Sequence, residues 1–275
     1  MPLRHYYHLY CGGPEHWWKP IIEEHAAALA SAHAQWDITL GLTGVVGPPP
    51  AWDGTCAWLT QHLPPSTTII TQQTGYEQLT LNALHRWAQT APPDAPVLFT
   101  HAKGVTYHPG DPIPHAWRRN MTRHLIGDWP LCVTKIITGY DAVGCHWLTP
   151  QTDGARAPAP HFSGGFWWAR ADYIATLPPV SYTNRWDTEF WIGLNNPRVY
   201  DLDPGWPETL AAQRMLPLAT MRENHIDSLT HLVEYHCTRC GQPFTLRQGD
   251  PEPDEEIRHC WDCIDEIFGR PKRSR

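Results

Sequence analysis

Strand signals and helix signals alternate along the first two hundred residues, and this alternation is the strongest constraint on the fold. RHYYHLY (4–10) reads as a strand. The helical-period segment EHWWKPIIEEHAAALASAH (15–33) follows, with apolar residues at Trp18, Ile21, Ile22, Ala26 and Leu29. DITLGLTGVV (37–46) is a second strand, closed by the prolines of 48–50, and TTIIT (67–71) a third. GYEQLTLNALHRWAQTA (75–91) gathers Leu79, Ala83, Leu84, Trp87 and Ala88 on one side and is predicted to be a helix. VLFT (97–100) is a fourth strand, and WRRNMTRHLIGDW (117–129) a helix. LCVTKIITGY (131–140), GGFWWAR (164–170) and PRVYDL (197–202) are predicted as further strands, and 149–160 as a loop. Strands alternating with helices imply an α/β fold with a mostly parallel sheet flanked by helices.

The cysteines divide the chain. Cys11, Cys56, Cys132 and Cys145 are scattered and read as thiols of a reducing compartment, so the expected location is cytoplasmic. The other four form CTRC (Cys237, Cys240) and CWDC (Cys260, Cys263), with residues 241–259 between the pairs. That spacing suits a four-thiolate, closed, structural Zn²⁺ site. Two disulfides are the alternative. An acidic run (250–256) and a basic tail, RPKRSR (270–275), accompany the pairs. The expected organisation is a main α/β domain over 1–231 and a small zinc-binding module over 232–275.

No stretch of about 18 apolar residues predicts a membrane span, and the N-terminus lacks a signal-peptide pattern. A net charge of −7 argues against a surface coated in nucleic-acid-binding charge, without excluding a local basic patch. In open α/β sheets ligands bind beyond the carboxyl ends of strands, and three motifs fall there. Cys11, Gly12 and Gly13 join the first strand to the first helix, as a backbone contact to a ligand or a plain turn; no Gly-x-Gly-x-x-Gly occurs. His101, Lys103 and Gly104 follow the fourth strand, where a cation can neutralise phosphate, or where the lysine is merely a surface residue. The third is HFSGGFWWAR continued through YTNRWDTEFWIG, with His161, Ser163, Gly164, Trp167, Arg185, Asp187 and Glu189 as site candidates. Adjacent strand residues point oppositely, so one of Trp167 and Trp168 is expected to offer a stacking face and the other to sit in the core. Two core tryptophans are the alternative. A carboxylate, Glu189 or Asp187, would act as general base, with His161 beside it.

Taken together, HAKG after an apolar strand, WRRNM, GCHW, HFSGGFWWA and RWDTEFW resemble a group of bacterial and phage glycosyltransferases, over roughly residues 5–195. Gly165 stands where that group commonly has asparagine, and the zinc module is not a usual part of it. The resemblance implies a GT-A-like, Rossmann-like domain binding a nucleotide-diphospho-sugar donor, with a divalent cation (Mg²⁺ or Mn²⁺) open at the donor site. No Asp-x-Asp follows the fourth strand; Asp201 and Asp203 have the letters but read better as a turn. The implied activity transfers a sugar to a macromolecular hydroxyl, with a hydroxymethylated pyrimidine in phage DNA as the acceptor suggested by the zinc pairs and basic tail. A protein or surface-glycan acceptor is the alternative. A zinc-ribbon binding protein on an inert scaffold is the rival of another class.

Overall fold

The computed structural model describes residues 3–35, 38–47, 49–62, 68–107, 112–153, 159–181, 186–204, 232–236 and 243–247. Contacts divide the chain into two units, Pro2–Ala211 and Ala212–Arg275.

In the larger unit the order is β1 (Leu3–Tyr10), α1 (Glu15–Gln35), β2 (Ile38–Val46), α2 (Pro49–His62), β3 (Thr68–Gln72), α3 (Gln78–Ala88), β4 (Pro96–His101) and α4 (Pro112–Thr122). A π-helical turn (Arg123–Gly127) leads to α5 (Trp129–Ile137), β5 (Ala142–Gly144), β6 (Trp147–Leu148) and α6 (Pro150–Asp153). Then come β7 (His161–Phe162), β8 (Trp167–Arg170), α7 (Ala171–Thr176), α8 (Trp186–Phe190), a 3₁₀ turn (Trp191–Gly193) and β9 (Val199–Asp201).

One seven-stranded sheet runs β3-β2-β1-β4-β8-β5-β9. β1 pairs in parallel with both β2 and β4, and β2 with β3. β8 is antiparallel to both its neighbours, while β5 and β9 are parallel to each other. The sheet is therefore mostly parallel, with one reversed strand. Phe99 of β4 stands opposite Trp167 and Pro96 opposite Arg170. The start of β8 thus lies at the carboxyl end of β4.

β1 is central and buried, which explains its composition. Tyr6 packs with Leu84, Phe99 and Trp167 on one face of the sheet, and Tyr7 with Trp18, Ile22 and Leu59 on the other. Its two histidines are buried and bonded. His5 Nε2 meets Thr100 Oγ1 at 2.7 Å, and His8 Nδ1 meets Thr80 Oγ1 at 2.9 Å. Hydrogen bonding is what makes such burial affordable.

Two predicted elements are corrected. Residues 131–140 form no strand; most of them belong to helix α5, which buries Cys132, Val133 and Ile136 and starts with Pro130 in its first turn. A short apolar run buried on several sides lacks the period that separates helix from strand. After β2 the prolines do not end the structure but begin α2, since proline suits a first helical turn. Cys11, Cys132 and Cys145 are buried thiols outside any disulfide, and Cys56 is half-buried.

In the smaller unit β10 (Leu232–His236) pairs antiparallel with β11 (Pro243–Arg247). The linking residues 237–242 include Cys237 and Cys240, but all four paired cysteines lie outside the described residues.

Candidate functional site

The strand order reverses beside β1: the chain steps outward through β2 and β3, then crosses back to β4 on the other side. Such a reversal opens a crevice beyond the carboxyl ends of the two strands. A cleft of about 730 Å³ lies there, reached by His8 and Tyr10 of β1, the 73–77 segment before α3, and the 101–107 segment after β4. Tyr10, Tyr76 and Tyr107 line it and are exposed. Three solvent-facing rings on one cleft suit a ligand with flat or C–H-rich faces.

His101 ends β4 and is fixed from two directions. Its Nε2 donates to the Gly164 carbonyl at 2.7 Å, and its Nδ1 lies 3.6 Å from Glu77 Oε1. Gly164 and Gly165 have φ of +97° and +72°, left-handed values that favour glycine. The Ser-Gly-Gly turn ahead of β8 thus folds tightly enough to bring its carbonyl onto His101. Gly165 itself approaches so closely that a Cβ there would lie 3.2 Å from His101 Nε2.

Lys103 lies on the same loop, with its ammonium 3.8 Å from the centre of the Trp117 ring. The loop backbone is clamped from below. Arg118, almost fully buried, donates from Nη1 to the Lys103 carbonyl at 3.0 Å and pairs with Glu24 through Nε (3.2 Å) and Nη2 (2.8 Å). Arg118 is a positioning residue that composition alone did not mark.

Burial, with the Lys103 charge adding to it, lowers the His101 pKa, against the pull of Glu77, the Gly164 carbonyl and Glu189. Burial likewise lowers His8 to about 4. For Glu77 burial alone would raise the pKa, but His101, His8, its own backbone N–H and the Thr188 hydroxyl together hold it below the ordinary carboxylate value. One proton serves both partners. With a hydroxyl and an amide already bonded to the carboxylate, the pair at neutral pH is an ionised Glu77 beside a neutral His101.

Thr188 Oγ1 donates to Glu77 Oε2 at 3.1 Å and so ties α8, which carries Asp187 and Glu189, to the cleft. Both carboxylates are half-buried, and Glu189 acts electrostatically on His101. His161 is buried, its Nδ1 bonded to the Ala159 carbonyl at 2.8 Å and its ring edge-on to Phe190. It supports α8 rather than facing the cleft.

His101, Lys103 and Gly104 therefore meet in one cleft. Cys11, Gly12 and Gly13 are not on its walls: Cys11 is buried in the core, and Gly12 is covered by the Tyr10 ring. Ser163 is buried, with its N–H on the His146 carbonyl. Trp167 is corrected. It stacks on Phe99 in the core, while Trp168 is buried on the other face and donates its indole N–H to the Leu125 carbonyl at 2.8 Å. Helices cover both faces of the sheet here, so neither ring offers a platform. The exposed tryptophan of this region is Trp186, stacked on Phe190. Arg185 lies outside the described residues. Asp201 accepts backbone N–H groups from His146, Trp147 and Asp203, which is the turn role.

Residues 6–215 match the family model described as Domain of unknown function (DUF8361). The chain belongs to that family. No curated protein matches it. Among solved structures, this DUF8361 member is similar to 4-diphosphocytidyl-2C-methyl-D-erythritol synthase from Anaerococcus prevotii DSM 20548, at 8% identity and a TM-score of 0.39, over 78% of this chain and 97% of that one. It is also similar to mouse xyloside xylosyltransferase 1 in its apo form, at 10% identity and a TM-score of 0.33, over 73% and 85% of the two chains. No helix among the described residues is long and apolar enough to cross a membrane.

Proposed function

We propose that the protein is a glycosyltransferase that takes a nucleotide-diphospho-sugar donor into the cleft between β1 and β4. One observation supports this above the others: His101 and Lys103 stand together at the strand-order reversal, in a cleft walled by three exposed tyrosines. A tyrosine face packs on the base or the sugar, and Lys103 offsets the diphosphate charge. In the transfer the bond from the anomeric carbon to the diphosphate oxygen breaks. A bond to the acceptor oxygen forms, and the acceptor proton passes to Glu189 or Asp187 on α8. The diphosphate leaves with the bonding pair and is stabilised by the Lys103 cation.

Among the described residues no three His, Cys, Asp or Glu side chains come together to hold an ion. Asp201, the nearest match to a carboxylate metal motif, spends both oxygens on backbone N–H groups. The divalent ion of GT-A-like enzymes thus finds no cage of protein side chains among the described residues. In the smaller unit the four thiolates of Cys237, Cys240, Cys260 and Cys263 would hold a structural Zn²⁺, the first pair joining β10 to β11. Metal analysis should give one zinc per chain, falling to none in Cys237→Ser/Cys260→Ser; zinc-free wild-type protein would remove this assignment.

The acceptor in this reading is a hydroxymethylated pyrimidine in DNA, for which the cysteine pairs and the RPKRSR tail argue. Purified protein is incubated with a mixed pool of nucleotide sugars and either hydroxymethylated DNA or a protein extract, and the products are weighed by mass spectrometry. A hexose or pentose mass added to DNA supports the reading. Addition to protein alone replaces the acceptor. No transfer, together with no thermal shift from any nucleotide sugar, overturns the transferase.

A further inference from the structure

Glu77 and His101 face each other on the cleft wall, and their hydrogen bonds leave both as acceptors toward the same space. A peptide carbonyl has no proton to give, so in the 2.7 Å bond to Gly164 it is His101 Nε2 that donates. The other ring nitrogen, Nδ1, is 3.6 Å from Glu77 Oε1, beyond the reach of a direct N–H···O bond. The second carboxylate oxygen of Glu77 already accepts from Thr188. Because burial keeps the ring neutral, Nδ1 carries a lone pair. A carboxylate oxygen and an imidazole lone pair at this separation repel one another and are both satisfied by donors from a third party. Lys103 on the adjoining loop makes a doubly charged cation an unfavourable third party, and no third metal-ligating side chain joins them among the described residues.

The geometry points to Glu77 and His101 as a hydroxyl-reading pair: Oε1 and Nδ1 each accept from one of two neighbouring hydroxyls of a polyol. This rests on the donor site proposed above, where the polyol is the ribose or the transferred sugar of the donor. It also explains an anionic side chain in a cleft assigned to a diphosphate, since carboxylates recognise ribose hydroxyls in other nucleotide folds. The pair is sensitive to acid. When Nδ1 takes a proton, His101 becomes a donor to Glu77 and stops accepting from the ligand. The titratable groups acting on His101 are Glu77 before α3, Lys103 after β4, Glu189 on α8, His8 on β1 and His25 on α1. The loss belongs below the ordinary histidine range, because the His101 pKa is lowered.

The full chain is titrated with UDP-glucose and GDP-mannose, with the free and 2′-deoxy diphosphates, with D-ribose and with Mn²⁺. Binding is followed by calorimetry and by the ¹⁵N signal of His101 Nδ1. A hydroxyl-bearing probe should bind and move that signal. Glu77→Gln, shown folded by circular dichroism, should weaken binding roughly tenfold or more and erase the preference over the deoxy probe. Thr188→Val, which spares both acceptors, should weaken it less. A loss on removing the 2′-hydroxyl assigns the ribose; a loss only on removing the sugar assigns the hexose. Wild-type affinity in folded Glu77→Gln overturns the pair, as does stoichiometric Mn²⁺ quenching of His101 with no effect of ligand hydroxyls. D-ribose moving Nδ1 while no nucleotide binds would sink the transferase and keep the pair. Nucleotide binding with a silent Nδ1 would do the reverse, and silence from every probe would end both.

Discussion

Gly164 occupies a position that no other residue fits. With φ at +97°, a Cβ there would lie 2.6 Å from Met121 Sδ and 2.8 Å from Trp117 Nε1. Gly164→Ala should cost about 1–3 kcal/mol in urea unfolding and weaken nucleotide binding, because the carbonyl that aligns His101 must move. Gly165 differs. Its φ of +72° is one that asparagine adopts readily, and asparagine is the residue common at this place in the resembled glycosyltransferases. Gly165→Asn should stay within about 1 kcal/mol of the parent; a loss as large as at Gly164 would show that the contact with His101, not the backbone, decides this position. The sequence made HAKG and the paired glycines visible, because lysine and glycine at a strand end are unusual. It hid Glu77, since that residue lies inside the 75–91 segment predicted as helix, where an acidic residue in the first turn is accounted for by the helix dipole alone. In the structure that carboxylate makes no capping bond and turns to His101 and Thr188 instead.

At the scale of elements, the π-helical turn at Arg123–Gly127 interrupts the path from α4 to α5. A π turn shifts the i to i−4 ladder and releases a carbonyl. The Leu125 carbonyl accepts the Trp168 indole N–H at 2.8 Å inside the core. Trp168→Phe removes that donor and part of the ring volume, and should destabilise the fold by about 1–3 kcal/mol. Amide exchange should quicken first in residues 123–131; uniform acceleration across the sheet would argue against a local role for this bond. The alternation of β1 through β4 was legible because each apolar strand is followed by a segment of helical period. α5 was not, because its buried run of Leu131 to Ile137 shows neither period. The reversed β8 was not legible either: pairing direction leaves no trace in four residues.

Across the larger unit, buried histidines make stability depend on pH. His8 is lowered to about 4 and His25 to about 3, each chiefly by burial, from an ordinary 6.5. The unfolded chain therefore takes up protons that the fold refuses. Their contribution is complete above pH 6.5 and drains away as pH falls toward 4 and 3, by at most on the order of 2 kcal/mol for each histidine at pH 5. Glu77, lowered, acts in the same sense at more acid pH, and Asp201, raised by burial, opposes it. The urea midpoint should drop between pH 7 and pH 5, with no titration of the His8 and His25 ring protons above pH 5; a flat midpoint, or a step near 6.5 in either resonance, contradicts this. The reversed strand governs the whole molecule in another way. A parallel replacement of β8 would deliver its leading loop to the far edge of the sheet, some four residues' length away. Running backwards, it starts at the rim where β5 ends, so that the Ser-Gly-Gly turn closing the 145–166 connection reaches the tip of the neighbouring β4. Grafting new specificity onto this scaffold would have to preserve that direction of travel before any side chain in the cleft is redrawn.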